Sequence, residues 1–314
     1  MRFFKYITCI FLKQRARHFA TILVMCTLMN ANAQQEWSYT QYLFNLYDIN
    51  SAYAGNHGSA SFAMRHRSQW MGMEGAPITQ QFSFHTPVKE EKIGVGFKVM
   101  NESIGARKQQ FVSVSGAYKL RLGSGILSMG LATGIIRQAI DRPKISAADQ
   151  QDVNLVNLAE PLIIPNVDAS LFYNTKEFYV GLQSCRINRS MYTRKNGTLA
   201  RLYYNLNMTA GVMKKVGSDN MLQLSTLVKY SEGKLWQAEW NLLYLIKNKF
   251  WLGGGYRLNS GCSVLGSINF STQFRIGFSY DFPLTALRHS NDGSAEVFLG
   301  YNLKSRSGKS IRYF

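Results

Sequence analysis

Apolar and polar residues alternate one by one along most of the chain. In Phe274–Tyr280 one face carries Phe274, Ile276, Phe278 and Tyr280, and the other Arg275, Gly277 and Ser279. Trp236, Ala238, Trp240, Leu242 and Tyr244 oppose Gln237, Glu239 and Asn241 in the same way. Ile93, Val95, Phe97 and Val99 oppose Gly94, Gly96 and Lys98, while Leu222, Leu224, Val228 and Tyr230 oppose Gln223, Ser225 and Lys229. A period of two belongs to strands whose faces meet different surroundings. The pattern predicts fourteen strands, near 59–66, 79–85, 93–101, 110–120, 125–137, 166–173, 178–184, 205–216, 222–230, 236–246, 250–258, 263–270, 274–280 and 295–301.

Alternation of this kind serves a soluble sandwich with apolar side chains inward, or a membrane barrel with them outward. Connection lengths separate the two. After even-numbered strands the links are short: Thr86–Lys92, Arg121–Ser124, Asn174–Glu177, Gly217–Met221, Lys247–Lys249 and Ser271–Gln273. After odd-numbered strands they include Arg67–Ile78, Gln138–Pro165, Cys185–Tyr204 and Asp281–Ser294. Short turns on one rim, long loops on the other and an even strand number describe an outer-membrane barrel. Backbone groups in hydrocarbon must be paired internally, and a closed sheet does this. The expected fold is therefore an all-β transmembrane barrel of about 14 antiparallel strands over residues 59–301. Its polar lumen would hold Lys98, Lys119, Lys229, Glu239, Arg257 and Arg275. Tyr118, Tyr173, Phe178, Tyr230, Trp236, Tyr244, Phe250, Tyr256, Phe270 and Tyr280 would form aromatic girdles rather than an ordinary core.

The amino terminus sets the compartment. Arg2, Lys5, Lys13, Arg15 and Arg17 precede an apolar run, Phe19–Met29, and Ala31-Asn32-Ala33 follows. This describes a cleaved secretory signal over residues 1–33. A membrane anchor is the alternative, but the run falls far short of the roughly 20 residues that span a bilayer. Met25 before Cys26 is too bulky for a lipoprotein cleavage site. Cleavage removes 33 of 314 residues and five of 36 cations, lowering the formal charge from +18 to +13. An exported chain with dispersed cations is not a nucleic-acid binder. Arg186, Arg189, Arg194, Lys195 and Arg201 would instead meet lipopolysaccharide or acidic cargo. Cys185 and Cys262 remain, both expected in outer loops where they could pair. Residues 34–58 form a lead-in expected on the periplasmic side, and 302–314 a basic tail ending in phenylalanine.

One turn-rich stretch, Tyr47–Pro87, carries no catalytic signature. It contains, in order, Asn50-Ser-Ala-Tyr-Ala-Gly55, Arg67-Ser-Gln-Trp70, Gly75-Ala-Pro-Ile-Thr-Gln80 and His85-Thr-Pro87, with Gln41-Tyr-Leu-Phe-Asn45 just before. This ordered set resembles the PorP/SprF family of outer-membrane proteins of the type IX secretion system, most strongly over Gln41–Asn101. Ala295-Glu-Val-Phe-Leu-Gly-Tyr301 resembles the family's closing strand. Two positions depart: Ser51 replaces a usual proline and its fixed φ angle, and Ala295 replaces a common histidine.

The resemblance implies a role in secretion and surface assembly of particular large proteins, including gliding adhesins, beside periplasmic ring and lipoprotein components. Family-motif residues Gln41, Tyr42, Phe44, Asn45, Asn50, Ala52, Tyr53, Gly55, Arg67, Gln69, Trp70, Gly75, Pro77 and Gln80 are then candidates for partner contact. The short turns would share that role, with the loops Gln138–Pro165 and Cys185–Tyr204 facing cargo or the cell surface. A plainer alternative has Tyr53, Trp70 and Pro77 only folding a plug and pinning a loop. A solute or hydrophobic-compound channel of the same shape is the second functional alternative.

Catalysis needs a base or nucleophile beside an orienting partner. His289, Asp292 and Asp281 in one expected loop come nearest to such a cluster, and loop polarity explains them better. No Cys or His pair has metal-ligand spacing, although His57 and His85 would approach each other on the periplasmic rim. Gly253-Gly-Gly255 sits in an alternating strand and lacks the Lys-Ser/Thr of a phosphate loop. The expectation is a non-enzyme without cofactor or metal.

Overall fold

The structure is a computed structural model describing residues 37–88, 92–145, 161–189, 191–193, 199–201, 203–232 and 235–303. The expected leader, the middle of the Gln138–Pro165 loop and the tail beyond residue 303 lie outside the described residues. The strands are β1 (Ser61–Ser68), β2 (Ile78–Val88), β3 (Ile93–Ile104), β4 (Arg107–Leu122), β5 (Gly125–Ile140) and β6 (Leu162–Asn174). Next come β7 (Phe178–Cys185), β8 (Met191–Thr193), β9 (Leu199–Arg201), β10 (Asn205–Val216) and β11 (Asn220–Ser231). The last are β12 (Leu235–Ile246), β13 (Phe250–Arg257), β14 (Gly261–Asn269), β15 (Phe274–Pro283) and β16 (Ser294–Asn302).

Fourteen of these close into one antiparallel barrel, each pairing with its neighbour in sequence, and β8 and β9 form a separate hairpin between β7 and β10. The seam joins β1 to β16 in a register running from Ser61 opposite Asn302 to Ser68 opposite Ala295. Every expected strand is present. Several run longer, β4 and β5 to 16 residues each. The β8–β9 hairpin was missed because three-residue strands are too short to show a period.

Leu131, Ile163, Val180, Leu224, Leu242, Leu252 and Phe278 lie exposed on the outer wall. The girdle candidates Tyr118, Phe178, Trp236, Phe250, Tyr256 and Phe270 are exposed there as well. Inward positions are mostly small or polar, such as Ser83, Ser113, Ser170, Ser225, Asn241 and Ser279. The lumen is nevertheless not a wet space. Residues 38–56 occupy it, and Tyr42, Leu46, Tyr47, Ile49, Ala52 and Ala54 pack against inward-facing Met100, Ile136, Ile164, Phe172, Tyr179 and Leu243. An inward Ile or Phe needs an apolar neighbour that water cannot supply, and the lead-in provides it.

The segment descends lengthwise. Trp37 sits level with the long connections: its Nε1 donates to Glu102 Oε2 at 3.1 Å, and its carbonyl accepts from Lys229 Nζ at 2.5 Å. At the opposite end Asn56 Nδ2 donates to Asn174 Oδ1 at 2.9 Å, beside a short turn. The stretch expected at the periplasmic rim thus fills the bore from one mouth to the other. Gly94 and Gly96 of β3 permit the approach, since a Cβ there would fall 1.9 Å from the Ala54 carbonyl oxygen and 2.4 Å from the Tyr47 hydroxyl.

The cysteine pair does not form. Cys185 ends β7 facing inward and is buried, whereas Cys262 lies exposed on β14. Strand alternation aims the two side chains to opposite sides of different walls.

Candidate functional site

Three single 3-10 turns, Tyr42–Phe44, Leu46–Asp48 and Ser51–Tyr53, fold the plug. Asn50 caps the third, its Oδ1 accepting the Ala52 N–H at 3.0 Å, while its Nδ2 donates to the Leu171 and Leu182 carbonyls at 3.0 and 3.3 Å. Each turn is too brief to satisfy its own backbone groups, so the barrel wall must do so.

The wall answers with charge. Glu296 of β16 accepts the N–H groups of Thr40 and Gln41, each at 3.0 Å. The same carboxylate pairs with Arg65 Nε at 3.0 Å and Arg67 Nη1 at 3.2 Å, both on β1. Arg65 also reaches Asp48 of the plug at 2.7 Å, and Arg67 reaches Asp281 at 2.6 Å. Arg257 continues the chain to Glu239 at 2.7 Å and Asp281 at 3.6 Å. Thr40 Oγ1 donates to Asp281 Oδ1 at 2.7 Å. Asp48 further accepts from Gln81 Nε2 at 2.5 Å, Ser83 Oγ at 3.0 Å and Asn45 Nδ2 at 3.1 Å. A buried carboxylate is tolerated when charged and polar donors surround it. Here they also fasten the plug to both sides of the seam.

The family-motif residues fall into three places. Gln41, Tyr42, Asn45, Asn50, Ala52 and Tyr53 are buried in the lumen, with Gly55, Arg67 and half-buried Phe44. Gln41 Nε2 donates to the Glu296 carbonyl at 2.9 Å, and Tyr42 Oη accepts from Asn241 at 3.2 Å. Tyr53 meets His85 and Phe172 edge-on at 5.7 and 5.3 Å, and Gly55, at φ 66°, donates to His85 Nδ1 at 3.1 Å. Gln69, Trp70, Gly75 and Pro77 shape the β1–β2 connection. There the Gln69 N–H donates to the Pro77 carbonyl at 2.9 Å and Trp70 N to Ser294 Oγ at 3.1 Å. Gln80 faces outward on β2. Asp281 is not part of a loop cluster with His289 and Asp292, because it points into the lumen toward Arg67 and Arg257. Among the described residues no three His, Cys, Asp or Glu side chains are grouped to hold a metal ion.

Sequence reading missed Asp48, Arg65 and Glu296 as a unit. The signal available was two arginines at inward positions of one strand, and nothing local disclosed their carboxylates.

A closed fourteen-stranded antiparallel sheet with an apolar outer wall and a self-filled bore defines an outer-membrane β-barrel. The family of type IX secretion system membrane proteins PorP/SprF matches residues 31–301, and the chain belongs to it. No curated protein matches the chain. Among solved structures, the outer membrane protein Omp33 of Acinetobacter baumannii aligns over 79% of this chain and 100% of its own at 7% identity, with a TM-score of 0.49. A TodX deltaS2S3 mutant monoaromatic hydrocarbon channel aligns over 87% and 95% at 9% identity, TM-score 0.45. The KdgM porin aligns over 78% and 99% at 9% identity, TM-score 0.41.

Proposed function

We propose that this protein serves type IX secretion by binding other proteins, without chemistry of its own. In this reading it is required for export or surface attachment of particular large cell-surface proteins of the gliding-adhesin kind. The short-turn rim faces the periplasm, as in barrels generally, and meets secretion components there. The long loops face outward toward cargo and lipopolysaccharide. The motif residues inside the lumen hold the plug, and those of the β1–β2 connection shape the outer rim.

The observation that favours this reading over a solute channel is the filled lumen. Tyr42, Thr40, Gln41 and Ala52 have no exposed surface. A solute path needs continuous space lined by adaptable polar groups, and here the corresponding groups are spent on one another. The purified protein in planar bilayers is expected to give no ion conductance, while deletion of its gene strips specific large proteins from the cell surface. Steady conductance together with an unchanged surface proteome would reverse the choice in favour of the channel.

A further inference from the structure

The plug does not reach the short-turn rim evenly. Between it and a wall formed by β13–β16 with parts of β1, β2, β10 and β11 lies a vestibule of about 410 Å³, bounded at its mouth by Asn248 and Lys249 of one turn and Ser271, Thr272 and Gln273 of another. Its floor is aromatic. Phe44 packs against Trp251 and Phe298 with ring centroids 6.5 and 5.9 Å apart, and the Arg275 guanidinium lies 5.3 Å over the Phe44 ring. The described lining contains Lys249 and Arg275 and no aspartate or glutamate. Ser61, which is 8% exposed, lines the same space, and its Oγ has no hydrogen-bond partner.

The surrounding rim has the same sign. Lys214, Lys215, Lys247 and Lys249 are exposed at the ends of β10, β12 and β13, opposed in that sector by Asp219 and by Glu177, whose carbonyl accepts from Met213 of β10. The volume falls within the roughly 300–1,000 Å³ of ligand pockets, enough for the side chains of a short segment and too small for a folded domain. An aromatic floor with a cationic mouth disfavours a basic or purely polar occupant. It suits an apolar or aromatic anchor flanked by carboxylates, with the charges steering approach and the ring supplying buried area.

We propose that this vestibule is the docking site for an acidic, aromatic-bearing segment of a periplasmic protein. The proposal rests on the orientation given under Proposed function and names the chemistry of the partner.

The test uses the full mature protein in detergent micelles and a fluorescein-labelled synthetic peptide alternating glutamate with phenylalanine. Its counterpart alternates lysine with phenylalanine. The expected result is saturable binding of the acidic peptide, at least about tenfold weaker for the lysine peptide. The Lys247→Glu/Lys249→Glu double variant weakens it similarly, and Thr272→Trp, which narrows the mouth, abolishes it. These substitutions sit in exposed turns, and unchanged heat-dependent migration on gels checks that the barrel is intact. If a variant fails to fold, the wild-type protein decides: binding must fall steeply as salt rises from about 0.05 to about 0.5 M. Equal binding of both peptides, or none, overturns the proposal. So does loss of acidic-peptide binding when phosphatidylglycerol is added to the micelles, which would assign the rim to lipid headgroups.

In cells, a deletion strain carrying the lysine double variant separates the two readings. Loss of the same surface proteins as in the deletion supports docking. Full restoration overturns docking and leaves the secretion role standing. An unchanged surface proteome in the deletion itself overturns the secretion role while the peptide experiment still judges the vestibule.

Discussion

Glu296 is wholly buried and takes donors from two arginines and two plug amides. Removing its charge leaves Arg65 and Arg67 short of a counterion in a water-poor interior, where breaking such a pair costs about 3–5 kcal/mol. Glu296→Gln is therefore expected to lower the urea midpoint of barrel unfolding in micelles, by about 3 kcal/mol in stability. An unchanged midpoint would mean that the network contributes nothing. Ser51 gives a second case. Its N–H donates to Gln183 Oε1 at 2.7 Å and its Oγ lies 2.7 Å from Ser170 Oγ. Proline would stiffen the unfolded chain by about 0.4–1 kcal/mol but strand a buried acceptor at about 1–3 kcal/mol. Ser51→Pro should thus cost about 1 kcal/mol net, seen as a lower melting temperature. The backbone donor used at position 51 is one that proline lacks.

At the scale of elements, the strands were legible because each has two faces in unlike surroundings, and period two records that difference directly. Phe274–Tyr280 and Trp236–Tyr244 show it without help from tertiary contacts. The plug was not legible, since its three short turns have no repeat and its apolar residues Leu43, Leu46 and Ile49 fit neither period. The clue lay on the strands. Inward Met100, Phe111, Ile136, Phe172 and Leu243 are excessive for a solvated bore and imply an apolar occupant. Deleting residues 38–54 while keeping β1–β16 should open that bore. Planar-bilayer recordings are expected to show ohmic conductance for this variant and none for the full chain. Closed traces from a folded deletion variant would show that the walls collapse inward instead.

For the whole molecule, the outer surface is adapted to lipid. Leu242, near the middle of β12, is 51% exposed beside Trp240 and Tyr256. An arginine at the bilayer midplane costs about 2–4 kcal/mol. Leu242→Arg should accordingly destabilise the barrel by about that amount in lipid vesicles, measured by urea titration of tryptophan fluorescence. A value near zero would place that band outside the hydrocarbon. Barrel closure was foreseeable from an even strand count and sorted connections. The ion-pair chain was not, because Arg65 and Glu296 are separated by nearly the whole sequence and meet only when the seam forms.

That meeting ties the plug to the seam itself. The side chains that hold the plug are the ones that bridge the two edges of the barrel. The edges β1 and β16 meet around their guest, with Arg65 and Arg67 on one lip and Glu296 on the other gripping Thr40 and Gln41 between them. Stopper and seal therefore share one clasp, and loosening either loosens the other.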